Sequence, residues 1–275
     1  MTSLSSDQVH KFQHFIHRFF KDYGRHDLPW RQTYDPYHVL VSEIMLQQTQ
    51  VERVITKFKH FLEVFPDIQK LAQASTAVVI GEWQGLGYNR RGLNLQKAAQ
   101  KVVADFEGKV PSDLDDLISL PGIGPYTAAA VQAFAFNKPS TVVETNIRTI
   151  FLHHFFPGVE KVSDEELKPL ITHTMDQAAP RQWYSALMDY GTYLKSVLPN
   201  PSRRSKHYAK QSKFEGSNRQ VRGAILKTLS TNSQLSTQDL YQALDMESHR
   251  VDQALTQLVK EGFVAYEADS LKLAS

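Results

Sequence analysis

The sequence predicts an all-helical body followed by a compact unit of three helices and a hairpin. Three observations carry that prediction. Apolar residues recur at helical spacing through the first two-thirds of the chain, helix start and stop signals punctuate it, and few runs alternate with period two. Residues 9–20 form the first periodic segment, and residues 37–65 the second, after an Asp35-Pro36 start signal. Gly85 and Gly87 break a later helix, Pro111-Ser112 opens another, and Pro121-Gly122 interrupts a third.

Residues 199–218 read differently. They hold Pro199, Pro201, Gly216 and several serines, with Arg203, Arg204, Lys206, Lys210 and Lys213 and almost no acid. Two readings stay open for this stretch: a solvated linker, or a basic strap lying along phosphates. Beyond it, residues 219–229, 236–244 and 247–261 have helical character. Ser236 serves as N-cap to the second with Asp239 three residues on, and Gly262 ends the third. Phe263-Val264-Ala265-Tyr266 and Leu271-Lys272-Leu273, around a turn at Ala268-Asp269-Ser270, read as a short hairpin. Three helices and a hairpin resemble a winged-helix module, a form that binds DNA or partner proteins with similar ease.

A chain of 275 residues can bury a substantial core, and 41 % hydrophobic with 22 % charged residues is ordinary for a soluble protein. The apolar runs are too short for a bilayer, and the first dozen residues lack the layout of a secretory signal, so an unexported protein is expected. A formal charge of +2 does not announce nucleic-acid binding, which leaves local charge to decide it. Cysteine is absent, which excludes disulfides, thiol catalysis, Cys-ligated zinc and Cys-ligated iron–sulfur clusters.

The most specific string is Ser119-Leu120-Pro121-Gly122-Ile123-Gly124-Pro125-Tyr126-Thr127-Ala128-Ala129-Ala130. Two glycines two apart allow a tight turn and close approach of another molecule, and the helix that follows can offer free N–H groups to an anion. Upstream stand His26-Asp27-Leu28-Pro29-Trp30-Arg31, then Ser42-Glu43-Ile44-Met45-Leu46-Gln47-Gln48-Thr49-Gln50-Val51, then Gly85-Leu86-Gly87-Tyr88. In this order and spacing the strings resemble the helix-hairpin-helix DNA glycosylases, and within them the adenine DNA glycosylases of the MutY type, from about residue 12 to 195. The resemblance implies a two-lobed fold with a cleft between the lobes, over residues 1–198. A six-helix lobe would span about 30–137, and a second lobe would combine 1–29 with 138–198. A basic linker at 199–218 and a winged-helix-like domain at 219–275 would follow.

Hydrolysing a purine–sugar bond needs a protonated base as leaving group and a negative charge near the electron-poor sugar, the two-carboxyl logic of glycoside hydrolysis. The resemblance assigns the acid to Glu43, which sits in an apolar helical run where a charge is costly without a function. The second carboxyl falls at Glu144, in Thr141-Val142-Val143-Glu144-Thr145-Asn146, where the family carries Asp. The extra methylene leaves Glu144 open as a catalytic carboxylate or as an N-cap for the helix beginning near Asn146. Tyr126 stands where glycosylase-lyases carry a Schiff-base Lys, so a monofunctional enzyme is implied, with Tyr126 hydrogen-bonding near the sugar or merely opening a helix.

Flipping a base costs a few kcal/mol, so side chains must brace the gap. The resemblance places Gln48 and Tyr88 as wedges and Trp30, Arg31, Leu46, Val51 and Asp189 around the base. It places further DNA contacts at Thr49, Arg91, Gly122, Ile123, Gly124, Thr127 and Asn146. Carbonyls of Ile118, Leu120 and Ile123 would hold a monovalent cation, Na+ or K+. The family's four-Cys cluster loop corresponds to the stretch running into Ser202-Arg203-Arg204-Ser205-Lys206, where the basic strap, with Arg203, Arg204 and Lys206, is expected to replace its phosphate contacts. The family's nudix-like domain is replaced after residue 218 by the winged-helix-like unit.

The expected activity is excision of adenine mispaired with 8-oxoguanine or guanine, by a monomer acting on double-stranded DNA in the cytoplasm (nucleoid-associated) or nucleus. Two other readings remain: a mismatch thymine or uracil glycosylase, and a lesion-binding protein without turnover.

Overall fold

The computed structural model describes residues 4–210, 213–232 and 234–274. Among these residues the protein is predominantly helical, with one three-stranded antiparallel sheet near the C-terminus, and no helix is long and apolar enough to cross a membrane. Chain contacts divide it into two units. The first comprises Met1–Glu43, Ser112–Ser119 and Ile123–Lys210, the second Ile44–Pro111, Leu120–Gly122 and Gln211–Ser275.

The first unit is built on α1 (Ser6–Tyr23), the start of α2 (Pro36–Leu46), α7 (Leu114–Ile118), α8 (Pro125–Phe136), α9 (Thr145–Phe155), α10 (Asp164–Thr174) and α11 (Pro180–Val197). Helix α1 begins at a capping box in which Ser5 and Gln8 satisfy each other's backbone N–H groups. It buries Val9, Phe12, Ile16 and Phe20 on one face. These pack with Ile147, Ile150 and Phe151 of α9 and Trp183, Tyr184 and Leu187 of α11. Close approach of α9 to α11 depends on Gly191. A Cβ there would lie 2.4 Å from the Asn146 carbonyl oxygen, below any van der Waals contact.

Residues 199–206 are folded against this unit. Pro201–Arg204 form a 3-10 turn with Pro201 and Ser202 buried, and Ser205 pairs with Val162 in an isolated bridge. The linker reading therefore does not hold there, because the segment spends backbone groups, Pro201 and Ser202 on packing.

In the second unit, α3 (Val51–Val64), α4 (Ile68–Gln73), α5 (Thr76–Glu82) and α6 (Arg90–Asp105) join a C-terminal module. That module contains α12 (Asn218–Thr231), β1 (Leu235–Ser236), α13 (Thr237–Leu244), α14 (Ser248–Lys260), β2 (Val264–Glu267) and β3 (Ser270–Leu273). Strand β3 pairs with both β1 and β2, so the hairpin read from sequence gains a third strand. Ser236 caps α13 by accepting the Asp239 N–H, as its spacing predicted. Ile80 and Leu93 enter one apolar cluster with Val221, Ile225, Leu255, Leu258 and Phe263 of the module.

The periodic stretch 37–65 is two helices. Gln48 turns left-handed at φ +53°, ending α2 and redirecting the chain into α3. Apolar periodicity continues across the break, which is why the sequence reads as one helix there. Long-range hydrogen bonds from Arg91 hold the freed carbonyls.

Candidate active site

Glu43, Tyr126 and Glu144 come together in the first unit. Glu43 lies on α2 beside Val39, Leu40 and Ile44 and is itself buried at 8 % exposure. Tyr126, in the first turn of α8, donates its hydroxyl to Glu43 Oε2 at 3.4 Å. Glu144 is half-buried immediately before α9, whose N-terminus it caps. Its Oε1 accepts the Asn146 N–H at 2.5 Å and the Ile147 N–H at 3.0 Å. Asp or Ser normally fills this position because a short side chain reaches back more easily. The extra methylene of Glu144 does not prevent the cap.

Environment separates the two carboxyls. Burial pushes Glu43 from the usual carboxylate range up to about 7, the charge of Glu144 adds to the rise, and the Tyr126 hydroxyl offsets part of it. Burial dominates at Glu144 too and leaves its carboxyl raised, with the Ile147 N–H, the Lys195 cation, the Asn146 N–H and the Arg148 cation offsetting part of the rise. Two nearby carboxyls cannot both ionise cheaply, and Glu144 has the larger set of groups stabilising its anion. Of the two, Glu43 is therefore the better placed to hold a proton and Glu144 the better placed to carry charge, an arrangement suited to one acid and one anion. Tyr126 is pushed well above its ordinary value by burial and by both carboxylates, so it stays a neutral donor.

Lys195 and Arg148 were not among the sequence-predicted site residues. Arg148 stands four residues past Glu144, the spacing that puts two side chains on one helix face, and this could have marked it. It also makes a two-point bond to Asp164, at 2.7 and 2.8 Å. Lys195, on α11, approaches only through the fold.

Asp189 and Arg31 are bonded to each other. Asp189 accepts from Arg31 Nη1 at 2.7 Å and Nη2 at 3.0 Å, from Arg25 Nε at 2.8 Å and from the Arg25 N–H at 2.8 Å. Burial pushes its carboxyl up, but the Arg31 and Arg25 bonds outweigh that and leave it below the usual range. Arg31 also binds the Arg25 and Ser185 carbonyls. This pair locks the Leu28–Arg31 turn to α11. Trp30 lies half-buried in that turn, Leu46 closes α2 and Val51 opens α3, both half-buried.

The hairpin divides its work between backbone and packing. Gly122 has φ +79°, and a Cβ there would strike Asn94 at 2.6 Å. Gly124 is the N-cap residue of α8, and a Cβ placed on it would meet open space. Leu120, Ile123 and Thr127 turn buried side chains inward, and Ile118 is exposed. Asn146 is half-buried and accepts a 3.4 Å bond from Thr192.

In the second unit Arg91 is an internal tie. Its guanidinium donates to the carbonyls of Ile44 at 2.8 Å, Met45 at 3.1 Å, Gln47 at 2.5 Å, Leu86 at 2.9 Å and Gly87 at 3.1 Å, and to Thr49 Oγ1 at 3.1 Å. Burial lowers its pKa to about 10, still cationic. It thereby holds the loop carrying exposed Gln48 to the loop carrying Tyr88. Arg204 is likewise spent internally, on the Leu152, Phe156 and Val159 carbonyls at the end of α9. Arg203 and Lys206 are exposed on the same segment. That segment, like the rest of the chain, supplies no cysteine thiolate as a ligand, and its Pro201 and Ser202 are buried.

Comparison with known proteins places this geometry in context. The model of the HhH-GPD superfamily of base excision DNA repair proteins matches residues 41–171. An adenine DNA glycosylase of Mycolicibacterium smegmatis is 31 % identical over 267 residues, covering 90 % of this chain and 91 % of the relative. One from Buchnera aphidicola is 32 % identical over 187 residues, 66 % of this chain; the chain spans about half of that relative's length, 52 %. Among solved structures, a thermostable thymine-DNA glycosylase matches with a TM-score of 0.61 at 25 % identity, over 72 % of this chain and 90 % of that one.

Proposed function

Since the chain belongs to the adenine DNA glycosylase family, within the HhH-GPD superfamily of base excision repair proteins, we propose that it excises adenine paired with 8-oxoguanine or guanine in duplex DNA. One observation carries this reading: a buried Glu43 that keeps its proton near neutrality, bonded to Tyr126 and facing the charge of Glu144.

In the proposed reaction the extruded nucleotide brings its purine to Glu43. The Glu43 proton passes to a ring nitrogen as the bond from C1′ to the base breaks, the electron pair leaving with the base. The Glu144 carboxylate stabilises the oxocarbenium cation. Water then adds to C1′, and its released proton restores the carboxyl pair, leaving free adenine and an abasic site. A Tyr in place of an amine at position 126 forms no imine, so the strand is left uncut. Gln48 and Tyr88 brace the opened stack, with Thr49 beside them, and Trp30, Leu46 and Val51 line the base.

The left-handed turn at Gly122 and the N-terminus of α8 beside Gly124 support a phosphate contact at Gly122, Ile123 and Gly124. A monovalent cation on the Ile118, Leu120 and Ile123 carbonyls would reinforce it by adding positive charge. Arg203 and Lys206 would add phosphate contacts. The DNA cleft needs one chain, so the protein acts as a monomer, and in the cytoplasm or nucleus where its substrate is.

The test is a single-turnover assay on duplexes carrying A:8-oxoG, A:G, T:G and U:G. Adenine release from the first two, lost in Glu43→Gln, supports the proposal. Release of thymine or uracil alone sinks it in favour of a mismatch pyrimidine glycosylase. Tight binding without release from any duplex points instead to a lesion-binding protein.

A further inference from the structure

We infer that Arg219 of the C-terminal module is a positioning residue for Tyr88, so that this module and the Gly85-Leu86-Gly87-Tyr88 loop form one lesion-reading element. The inference rests on the proposed role of Tyr88 at opened base pairs. Its structural basis lies wholly within the second unit.

The Tyr88 backbone is constrained from one side. Gly87 at φ +71° and Tyr88 at φ +46° are consecutive left-handed residues, a conformation a Tyr holds only when its surroundings impose it. Trp83 Nε1 and Arg91 Nη2 both donate to the Gly87 carbonyl, at 3.2 and 3.1 Å, and the Arg91 N–H donates to the Tyr88 carbonyl at 2.8 Å. The ring is constrained from the other side. Arg219 Nη1 donates to the Tyr88 hydroxyl at 2.6 Å, with its guanidinium carbon 5.0 Å from the ring centroid. Arg91 lies 5.6 Å from the same centroid, so two cations frame one tyrosine.

Helix energetics do not explain Arg219. It occupies the first turn of α12, where the positive end of the helix dipole disfavours a cation. The module is anchored to this region independently: Glu261 accepts from Arg90 at 2.8 Å and from Arg222 at 2.6 Å, and Ile80 and Leu93 enter the module's apolar cluster. Removing Arg219 therefore leaves these docking contacts in place while freeing the ring and losing the 3.5 Å bond from Arg219 to the Lys213 carbonyl. A cation framing a tyrosine that must stack beside a lesion fixes its rotamer before DNA arrives, which lowers the ordering cost of binding.

The experiment measures equilibrium binding of the full chain to a duplex with one tetrahydrofuran abasic-site analogue and to the same duplex undamaged. It uses wild type, R219A, R219K, Y88F and the R219A/Y88F double variant, each with its melting temperature. The expected result is about a tenfold loss on the abasic duplex for R219A and for Y88F, with less than twofold change on undamaged DNA. The double variant should be no worse than either single one, and R219K, which keeps a cation and donor, should recover most of the loss. Equal loss on both duplexes with a shallower salt dependence makes Arg219 a plain phosphate contact and overturns the inference, as do additive losses. A uniform loss with a lowered melting temperature, mended by no conservative variant, overturns it as well. Because binding needs no turnover, a wild type that discriminates the abasic duplex yet excises nothing sinks the catalytic reading alone, and the cycle still decides Arg219.

Discussion

Replacing Glu43 with Gln should abolish excision while making the protein more stable above pH 7. Burial and the Glu144 charge raise the Glu43 pKa from 4.5 to about 7. A rise of that size corresponds to about 3 kcal/mol between the protonated and ionised forms. The sign follows from linkage. Below pH 4.5 the carboxyl is neutral in folded and unfolded chains alike, so it costs nothing. As pH climbs from 4.5 to about 7 the unfolded chain ionises first, stability falls, and above about 7 the penalty is complete. The neutral amide removes the penalty and its repulsion with Glu144. Chemical denaturation of wild type and variant at about pH 4 and pH 8 should therefore show curves that nearly coincide at the lower pH and separate by about 3 kcal/mol at the higher, the variant more stable. In parallel, wild-type single-turnover rates should decline as pH passes about 7, and the variant should lose at least about 100-fold at any pH. An unchanged or lower stability of Glu43→Gln at pH 8 would refute the buried, protonated acid on which the proposed reaction depends.

Three further outcomes follow from the same geometry. Tyr126→Phe removes a hydroxyl that lowers the Glu43 pKa, so the alkaline limb of the rate profile should move to higher pH while the plateau drops by less than about tenfold; a limb moving to lower pH contradicts the bond at 3.4 Å. Gly191→Ala forces a methyl against the Asn146 carbonyl and should cost about 1–3 kcal/mol, with excision slowed by up to about 100-fold as Glu144 is displaced; thermal denaturation and single-turnover rates check both. Neutralising Arg203 and Lys206 together should make the logarithmic salt dependence of DNA binding shallower by about 2, whereas Arg204→Met should lower stability and leave that slope alone, because Arg204 serves the end of α9. Equal slopes for all three chains remove the basic strap from the DNA interface.

By itself the sequence determined which residue types stand at which local positions. The cap at Ser236, the turn at Gly122, the acid inside the apolar run at Glu43 and the absence of any thiol are legible there, because each depends on neighbours within a few residues. The helical body and the C-terminal helices with their hairpin follow from periodicity for the same reason. The tertiary structure decided what these residues do to one another. The proton on Glu43 is set by burial, by Glu144 about a hundred positions away and by the Tyr126 hydroxyl on another helix. Asp189 and Arg31, separated by 158 positions, neutralise each other in an internal lock, and Arg91 and Arg204, both basic residues beside glycine or serine-rich loops, are drawn into carbonyl clusters. The break at Gln48 and the strand Leu235–Ser236 likewise depend on distant partners. Electrostatic shifts and long-range hydrogen bonds depend on distance through space and on exclusion of water. The folded chain fixes both, and spacing along a sequence encodes neither.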